Sequence, residues 1–281
     1  MILKSSFILL VSFVFSLSVR ALQTTDSDYF LISDKTTVPA QNQTAQFASP
    51  QNLIAGSWAQ NRDNIYLNLL SWSHVRNPNP QRYEDYNRDK HFGPWVNDPQ
   101  DNNCYNTRAK VLIRDSVAKV TFKGQGNCSV STGAWNDPYT LHTYRSAADV
   151  QVDHFVPLKN AYVSGAWKWN FYNRCLYANY MGNSIHLISV QGMANMDKGD
   201  KSPERWLPPN QNYRCEYVRN WLIVKLIWNL ELSAAESAGI RKILAGYKCP
   251  ISSYVVSQKD IINQRSFIHA NANACAHLKP R

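Results

Sequence analysis

Hydrophobic positions recur with two different periods along the chain, and these periods predict a mixture of helices and strands. Spacings of three and four residues between apolar positions are typical of an amphipathic helix, as at Ala109, Leu112 and Ile113. Short apolar runs that end at turn-forming residues indicate strands instead. The predicted elements are a helix at 105–120, a hairpin of 119–122 with 128–130, strands at 151–157 and 185–190, and helices at 158–178, near 194, at 213–230 and at 233–245.

The two ends of the chain follow different patterns. Lys4 precedes an apolar run from Phe7 to Val19, and small residues follow at the expected cleavage position, which predicts a secretory signal peptide. A membrane anchor is the alternative, but the run is short for a span of about 20 residues. Gln, Asn, Ser and Thr then dominate without an apolar period, which indicates an arm or linker. The predicted division is a signal peptide at 1–21, a polar arm at 22–80, a folded domain at 81–250 and a C-terminal tail at 251–281.

Six cysteines follow the predicted signal peptide, and an even number in an exported chain indicates disulfides. The sequence contains no Cys-x-x-Cys pair, which argues against a thiolate zinc site. Sequence alone leaves the connectivity open. Joining near neighbours pairs Cys104 with Cys128 and Cys215 with Cys249, and leaves over Cys175 and Cys275.

Charge narrows the class of partner. The formal net charge is +10, and a basic exported protein attracts polyanions such as nucleic acid, anionic lipid or acidic polysaccharide. A surface charge that only improves solubility is the alternative. The apolar run 221–228 is short and is interrupted by Lys225, so we expect a buried helix there and no membrane association after the signal peptide is removed.

The most chemically informative stretch places a carboxylate beside an imidazole, at Asp153-His154 in an otherwise apolar strand. His186 lies in the second strand, and Asn195 and Lys198 lie at the helix start that follows. Cleavage of a phosphodiester requires an activated water and a cation that neutralises the phosphate. Asp153 and the Asn195 side-chain carbonyl are oxygen ligands of the kind that Mg²⁺ prefers. The pattern therefore predicts a one-metal phosphodiester-cleaving site.

His154 is suited to act as the general base, because its ordinary pKa is about 6.5 and a nearby cation favours its neutral form. Lys198 shares a helical face with Asn195 and is predicted to contact a phosphate. Successive side chains of a strand point to opposite faces, so Asp153 and His154 share one site only if the strand bends or twists. His186 and Asn195 also have structural interpretations, as a core histidine and a helix cap.

The order Asp153-His154, His186 and Asn195-x-x-Lys198-Gly199 resembles the His-Asn-His (HNH, ββα-metal) endonuclease motif, and the resemblance to a family of secreted HNH nucleases covers about residues 83–249. Further matching segments are Tyr86-x-Arg88, Phe92-Gly93-Pro94-Trp95, Thr107–Leu112, Asn136-Asp137-Pro138-Tyr139-Thr140, Gly165-Ala166-Trp167, Lys198-Gly199-Asp200 and Pro203–Pro208. The implied fold class is α+β, with a ββα-metal core embedded in a mostly helical, disulfide-braced single domain.

The resemblance implies a role for each motif residue. Asp153 and Asn195 are implied as metal ligands, and His154 as the general base. His186 stands at the middle position, often Asn, that helps to orient the base in related enzymes. Lys198 stands at the lysine of the motif. The implied cofactor is one divalent ion, with Mg²⁺ favoured and Mn²⁺ or another divalent ion as alternatives.

Three further positions bear on the site. Arg174 falls where an arginine precedes the family's Ala-Asn-Asp segment, and we include it among the predicted catalytic residues. Tyr180 stands where the family usually has Asp, which puts a carboxylate role at that position in doubt. Leu141 replaces a Gly that follows the Asp-Pro-Tyr-Thr turn.

These observations predict a secreted or periplasmic endonuclease that depends on a metal and has little sequence specificity. A water activated by His154 would attack the phosphorus, and the family resemblance implies that the 3′ oxygen leaves to give a 5′-phosphate product. Double-stranded DNA is the favoured substrate, RNA is the alternative, and a monomer is expected. A basic, Trp-rich secreted protein that binds nucleic acid or cell-wall polymer without catalysis is the competing class, but it gives no reason for the motif spacing. A polysaccharide hydrolase needs two carboxylates across a cleft, and the sequence does not single out such a pair.

Overall fold

The computed structural model describes residues 66–72, 84–97, 103–124 and 126–280. The predicted signal peptide, and the predicted arm outside 66–72, lie outside these residues. Within them helices and strands are mixed, so the fold is α+β, as predicted. The helices are α1 (Leu69–Trp72), α2 (Arg88–His91), α3 (Thr107–Asp115), α4 (Leu158–Val163), α5 (Phe171–Ala178), α6 (Gly192–Lys198), α7 (Arg214–Ile227), α8 (Ala234–Gly246) and α9 (Gln258–Ala270). The strands are β1 (Tyr66–Asn68), β2 (Thr121–Lys123), β3 (Ser129–Asn136), β4 (Thr143–Ser146), β5 (Val150–His154), β6 (Leu187–Gln191) and β7 (Val255–Ser257).

Local sequence explains where several of these elements end. The helix predicted at 105–120 stops at Asp115, because Ser116 has extended backbone angles. The helix predicted at 158–178 is two helices, since Gly165 between them has a φ of 130°, which a residue with a side chain rarely adopts. Helix α8 begins with the predicted capping box, in which Ser233 accepts from the Glu236 amide and the Glu236 carboxylate accepts from the Ser233 amide.

Three small antiparallel sheets form the β structure of the described residues: β1 with β7, β2-β3-β4, and β5 with β6. The β5–β6 pair positions the candidate site. Asp153 lies opposite Ile188 and His154 lies opposite Leu187, at the end of β5. Helix α6 begins directly after β6, so these three elements are adjacent in space as well as in sequence.

The main hydrophobic core surrounds α7, whose side chains are buried along almost its whole length. The apolar run predicted to be a buried helix is therefore buried. Lys225, the charged residue within that run, is fully buried and its ammonium bonds to the Glu236 carboxylate at 2.8 Å. A charge at this depth is tolerated because it is paired and hydrogen-bonded.

Three disulfides brace the fold. Cys104 pairs with Cys128 and Cys215 pairs with Cys249, which confirms the near-neighbour prediction. The two cysteines left over, Cys175 and Cys275, also pair with each other across 100 residues. This third disulfide attaches the C-terminal segment to α5.

Folded structure extends on both sides of the predicted limits 81–250. Strand β1, from the range predicted as an arm, pairs with β7, from the range predicted as a tail. Helix α9 packs on α7, and the buried Arg265 guanidinium donates to the Leu226 and Ile227 carbonyls at the end of α7. These contacts satisfy backbone acceptors that a helix end leaves unpaired.

Candidate active site

An open pocket of about 530 Å³ lies beside the end of β5. The residues that line it include Asp153, His154, Asn195, Arg88, Arg108 and Trp95. The two predicted metal ligands and the predicted base therefore reach one cavity. Asp153 and His154 are only 4% and 8% exposed, and His154 is the last residue of its strand, where the chain leaves the sheet. Both side chains therefore reach the pocket, although they belong to consecutive residues of β5.

Asp153 is held by two hydrogen-bond donors from other elements. The Lys198 ammonium lies 2.7 Å and 2.8 Å from the two carboxylate oxygens, and the Tyr139 hydroxyl donates to Oδ2 at 2.6 Å. Burial raises the pKa of Asp153 and lowers the pKa of Lys198, and the attraction between the two charges opposes both changes. The hydrogen bonds from Lys198 and Tyr139 fix the position of the carboxylate.

The predicted phosphate contact of Lys198 is not the contact that the structure shows. Its side chain is fully buried, and the ammonium also donates to the His154 backbone carbonyl at 3.0 Å. The physical reason is that the Lys198 side chain points toward β5, whereas Asn195 and Met196 of the same turn line the pocket. Lys198 therefore supports Asp153 and His154 from behind.

His154 has a defined tautomer. Its Nε2–H donates to the Ala178 carbonyl at 2.9 Å, and since a carbonyl only accepts, the neutral ring carries its proton on Nε2. The Nδ1 atom is left as the acceptor. Burial is the main cause that lowers the pKa of His154 well below its ordinary value, so the ring is neutral at neutral pH. A neutral imidazole with a free acceptor nitrogen is what a general base requires.

An aromatic stack fixes the plane of this imidazole. The Trp95 indole lies parallel to the His154 ring, with centroids 5.0 Å apart and planes inclined by 7°. Asn179 holds the backbone on both sides of Trp95, because it accepts from the Val96 amide and donates to the Pro94 carbonyl. The Arg88 guanidinium lies over the Trp95 ring, 5.6 Å from the indole centroid.

Tyr139 is a site residue that our sequence analysis did not single out, although it lies in the Asn136–Thr140 segment that carried part of the resemblance. Asp137 is buried in the turn and accepts from the Tyr139 and Thr140 amides, which orients the turn. The Tyr139 ring packs against Trp206 and Tyr217 in the core. The turn thus aims a hydroxyl at Asp153.

Like Lys198, the predicted catalytic residues Arg174 and His186 do not line the pocket. Arg174 donates to the backbone carbonyls of His91 and Trp169, so it ties the end of α2 to the segment before α5. His186 is buried, and its Nε2–H donates to the Tyr177 carbonyl at 2.7 Å. The carbonyl of the next residue, Ala178, accepts from His154. The two histidines therefore donate to two consecutive backbone carbonyls at the end of α5. Burial lowers the pKa of His186 to about 4.

The two departures from the family pattern have structural explanations. The Tyr180 ring is fully buried, and its hydroxyl donates to the Gln264 side-chain oxygen of α9 at 2.6 Å. This residue attaches the C-terminal helix. Leu141 has a φ of 62°, in the left-handed region that favours glycine, which accounts for a Gly at this position in the family.

The donor atoms in the pocket fit a hard divalent cation that keeps part of its water shell. Asp153 Oδ1 accepts from one protein donor and Oδ2 from two, which leaves acceptor capacity on the carboxylate. Asn195 donates its amide hydrogen to Gln151 Oε1 at 2.9 Å, so its own Oδ1 is the atom left for a ligand. No group of three or more His, Cys, Asp or Glu side chains in the described part of the chain is arranged to hold a metal. A site of one carboxylate, one amide and water is typical of Mg²⁺ rather than of zinc.

Cationic side chains surround these donors. Arg88 and Arg108 line the pocket, together with Lys159, which lies 3.5 Å from the Asp200 carboxylate. The Arg108 guanidinium also donates to the Val150 carbonyl at 3.3 Å, which anchors it beside β5.

Among the described residues, no helix is long and apolar enough to span a membrane.

The chain matches a known protein family and a relative of similar sequence. Residues 101–243 match the family of the C-terminal domain of GmrSD restriction endonucleases, and the chain belongs to this family, which is of the HNH type. The prediction of an HNH-type endonuclease family is thereby confirmed. An uncharacterized secreted protein of Arthroderma benhamiae is 38% identical over 200 residues, which are 71% of this chain and 90% of that protein. The description of that relative as a secreted protein is consistent with the export predicted for this chain. No solved structure matches the chain.

Proposed function

We propose that the protein is an exported, metal-dependent endonuclease that hydrolyses the phosphodiester bonds of DNA with little sequence specificity. The observation that carries the proposal is that Asp153, His154 and Asn195 line one pocket, with the His154 acceptor nitrogen free and the ring held in plane. The matched family supports the reaction class. The predicted signal peptide, the three disulfides and the secreted relative support export.

In this proposal β5, β6 and α6 form a ββα-metal core. Asp153 and Asn195 would hold a divalent cation, which supplies charge neutralisation at the phosphate and stabilises the leaving oxygen. Lys198 keeps the Asp153 carboxylate in place, and Tyr139 fixes its orientation. Each of the two ligand side chains is thus supported by a second residue, as precise ligand placement requires.

His154 takes the proton of the attacking water on Nδ1. Its Nε2–H bond to Ala178 and the Trp95 stack hold the ring while the charge develops. General-base assistance of this kind contributes roughly 10²- to 10⁴-fold to the rate.

Arg88, Arg108 and Lys159 provide the phosphate contacts in this proposal. They line the pocket around the proposed reaction centre, where a sequence-independent grip on the backbone requires positive charge. The net charge of +10 favours the same polyanionic substrate. Double-stranded DNA is the proposed substrate, with RNA as the alternative.

The test is hydrolysis of supercoiled plasmid by the oxidised, purified protein in Mg²⁺ and in chelator. We expect nicking and linearisation in Mg²⁺, loss of activity in chelator, and a reduction of about 100-fold or more in His154→Ala. His269→Ala is the matched control, because His269 is exposed on α9 and does not line the pocket. A parallel reaction with RNA decides between the two substrates.

Full activity in chelator, or in His154→Ala, would overturn the mechanism. A wild-type protein that binds plasmid but cleaves neither DNA nor RNA with any divalent ion would favour the non-catalytic binder. End-labelling of the product tests the chemistry, since cleavage at the 3′ oxygen leaves a 5′-phosphate. A 5′-hydroxyl product would contradict the proposed direction of attack.

A further inference from the structure

Helix α6 exposes two methionines next to the pocket. Met193 is 68% exposed and Met196 is 65% exposed, and a spacing of three residues places them on the same side of the helix. Met196 lines the pocket, and Asn195, the proposed metal ligand, lies between the two in sequence. We call these two side chains the methionine patch.

Single exposed apolar side chains are common on soluble proteins, but a pair beside a polar, charged pocket is a different arrangement. The opposite side of α6 packs against the protein, where Ala194 and Lys198 are buried. Methionine side chains are flexible and polarisable, and they adapt to varied partner surfaces. The patch is therefore suited to a ligand whose apolar surface changes from one binding event to the next.

The remainder of the pocket rim constrains that ligand. Arg88, Arg108 and Lys159 require negative charge in the same molecule that covers the methionines. A DNA duplex combines the two, because its phosphates alternate with sugars whose carbon atoms, together with the base edges in the grooves, give apolar contact surface. Acidic polysaccharides have no bases and the matched family is one of endonucleases, so nucleic acid is the occupant that the observations favour.

We propose that the methionine patch contacts the sugars and bases of the nucleotides next to the scissile phosphate, and that it strengthens binding of the polymer without reading base identity. Thioether groups offer no hydrogen-bond donor with which to distinguish base edges, so the contact adds affinity rather than sequence preference. The inference deepens the proposed nuclease function and rests on it for the identity of the reaction centre.

The first test is binding of a short fluorescent DNA duplex in chelator, measured by anisotropy over a range of salt concentrations. Met193→Gln with Met196→Gln keeps the length of both side chains but makes them polar, and we expect the Kd to rise about tenfold. The slope of log Kd against log salt should stay unchanged, because that slope reports phosphate contacts. Arg108→Gln should reduce the same slope by about one.

Two control variants separate apolar contact from surface change. Met193→Leu with Met196→Leu keeps apolar side chains and should bind as the wild type does. Val117→Gln alters a residue that is 69% exposed and does not line the pocket, and it should have no effect. A double Gln variant that binds like the wild type, or whose salt slope falls, would overturn the inference.

Turnover distinguishes this inference from the proposed function. With bis(p-nitrophenyl) phosphate, which is too small to reach from the pocket along the helix, Met193→Gln should keep the wild-type rate, because Met193 does not line the pocket. With plasmid the KM of this single variant should rise about threefold with kcat unchanged. Equal losses on both substrates would refute a polymer-specific role. A wild-type protein that hydrolyses neither substrate would refute the proposed function, while the binding measurements would still decide on the patch.

Discussion

Replacement of His186 by asparagine tests whether a buried neutral imidazole makes this fold sensitive to acid. His186 lies edge-on to the rings of Tyr177 and Tyr180, and its Nδ1 has no hydrogen-bond partner among the described residues. Burial lowers its pKa from 6.5 to about 4. Asparagine keeps an N–H donor for the Tyr177 carbonyl, is the residue often found at this motif position, and does not titrate.

The direction of the effect follows from proton binding. Between pH 6.5 and about 4, the unfolded chain binds a proton at His186 that the folded protein does not bind. The free energy of unfolding therefore falls as the pH falls through this window, and the stability is fully present above it. Since one pKa unit corresponds to about 1.4 kcal/mol, the wild type should lose up to about 3 kcal/mol at this residue.

The assay is urea unfolding, followed by tryptophan fluorescence, at several pH values from about 7 down to about 4. The difference in unfolding free energy between the wild type and His186→Asn should change by up to about 3 kcal/mol across this range. Burial is also the main cause that lowers the pKa of His154, and this contribution is present in both proteins and cancels, whereas the smaller contribution of the His186 charge is removed together with His186. His269→Asn, at an exposed position, is the matched control for the substitution itself. A difference that is constant with pH would refute the neutral, buried state of His186.

Three further predictions concern stability at neutral pH, each measured by urea unfolding. Leu141 has a φ of 62° and is 70% exposed, so Leu141→Gly should stabilise the fold by about 1 kcal/mol, and an equal gain from Leu141→Ala would contradict the backbone explanation. Lys198→Met leaves the buried Asp153 charge without its partner and should lower the free energy of unfolding by about 3–5 kcal/mol. Adding Asp153→Asn in a double variant should restore part of this loss. No restoration would argue against the ion pair as the cause. Removal of the Cys175–Cys275 disulfide, which joins positions 100 residues apart, should cost about 4–5 kcal/mol, and a larger loss from removal of Cys104–Cys128, with a separation of 24, would contradict the loop-length argument.

Features that depend on nearby residues were predictable from sequence. The capping box at Ser233 and Glu236, the two strands β5 and β6, and the short helix that follows them all depend on spacings of a few residues. The pairing of near-neighbour cysteines succeeded for the same reason, since their separations are short. Helix ends were less accurate, because the break at Gly165 depends on a backbone angle that a glycine permits but does not require.

The contacts that complete the site join residues far apart in the chain. Lys198 reaches Asp153 across 45 positions, and Asn179 reaches the backbone beside Trp95 across more than 80. No local pattern encodes such contacts, because they depend on which elements pack together. The same limit applies to β1 and β7, which pair across the folded region although both lie outside the predicted domain limits.

The sequence by itself determined the order of the residues that are proposed to carry the chemistry: an acid and an imidazole at the end of one strand, and an amide in the helix after the next strand. Tertiary structure decided where their partners point. Lys198 faces β5, where the buried Asp153 carboxylate needs a counter-charge, and so it does not face the pocket. Tyr180 turns to α9, and His186 turns to a backbone carbonyl, because buried polar groups must find partners within reach. Residue identity determines what a group can donate, accept or titrate, but only packing decides to which atom it is presented.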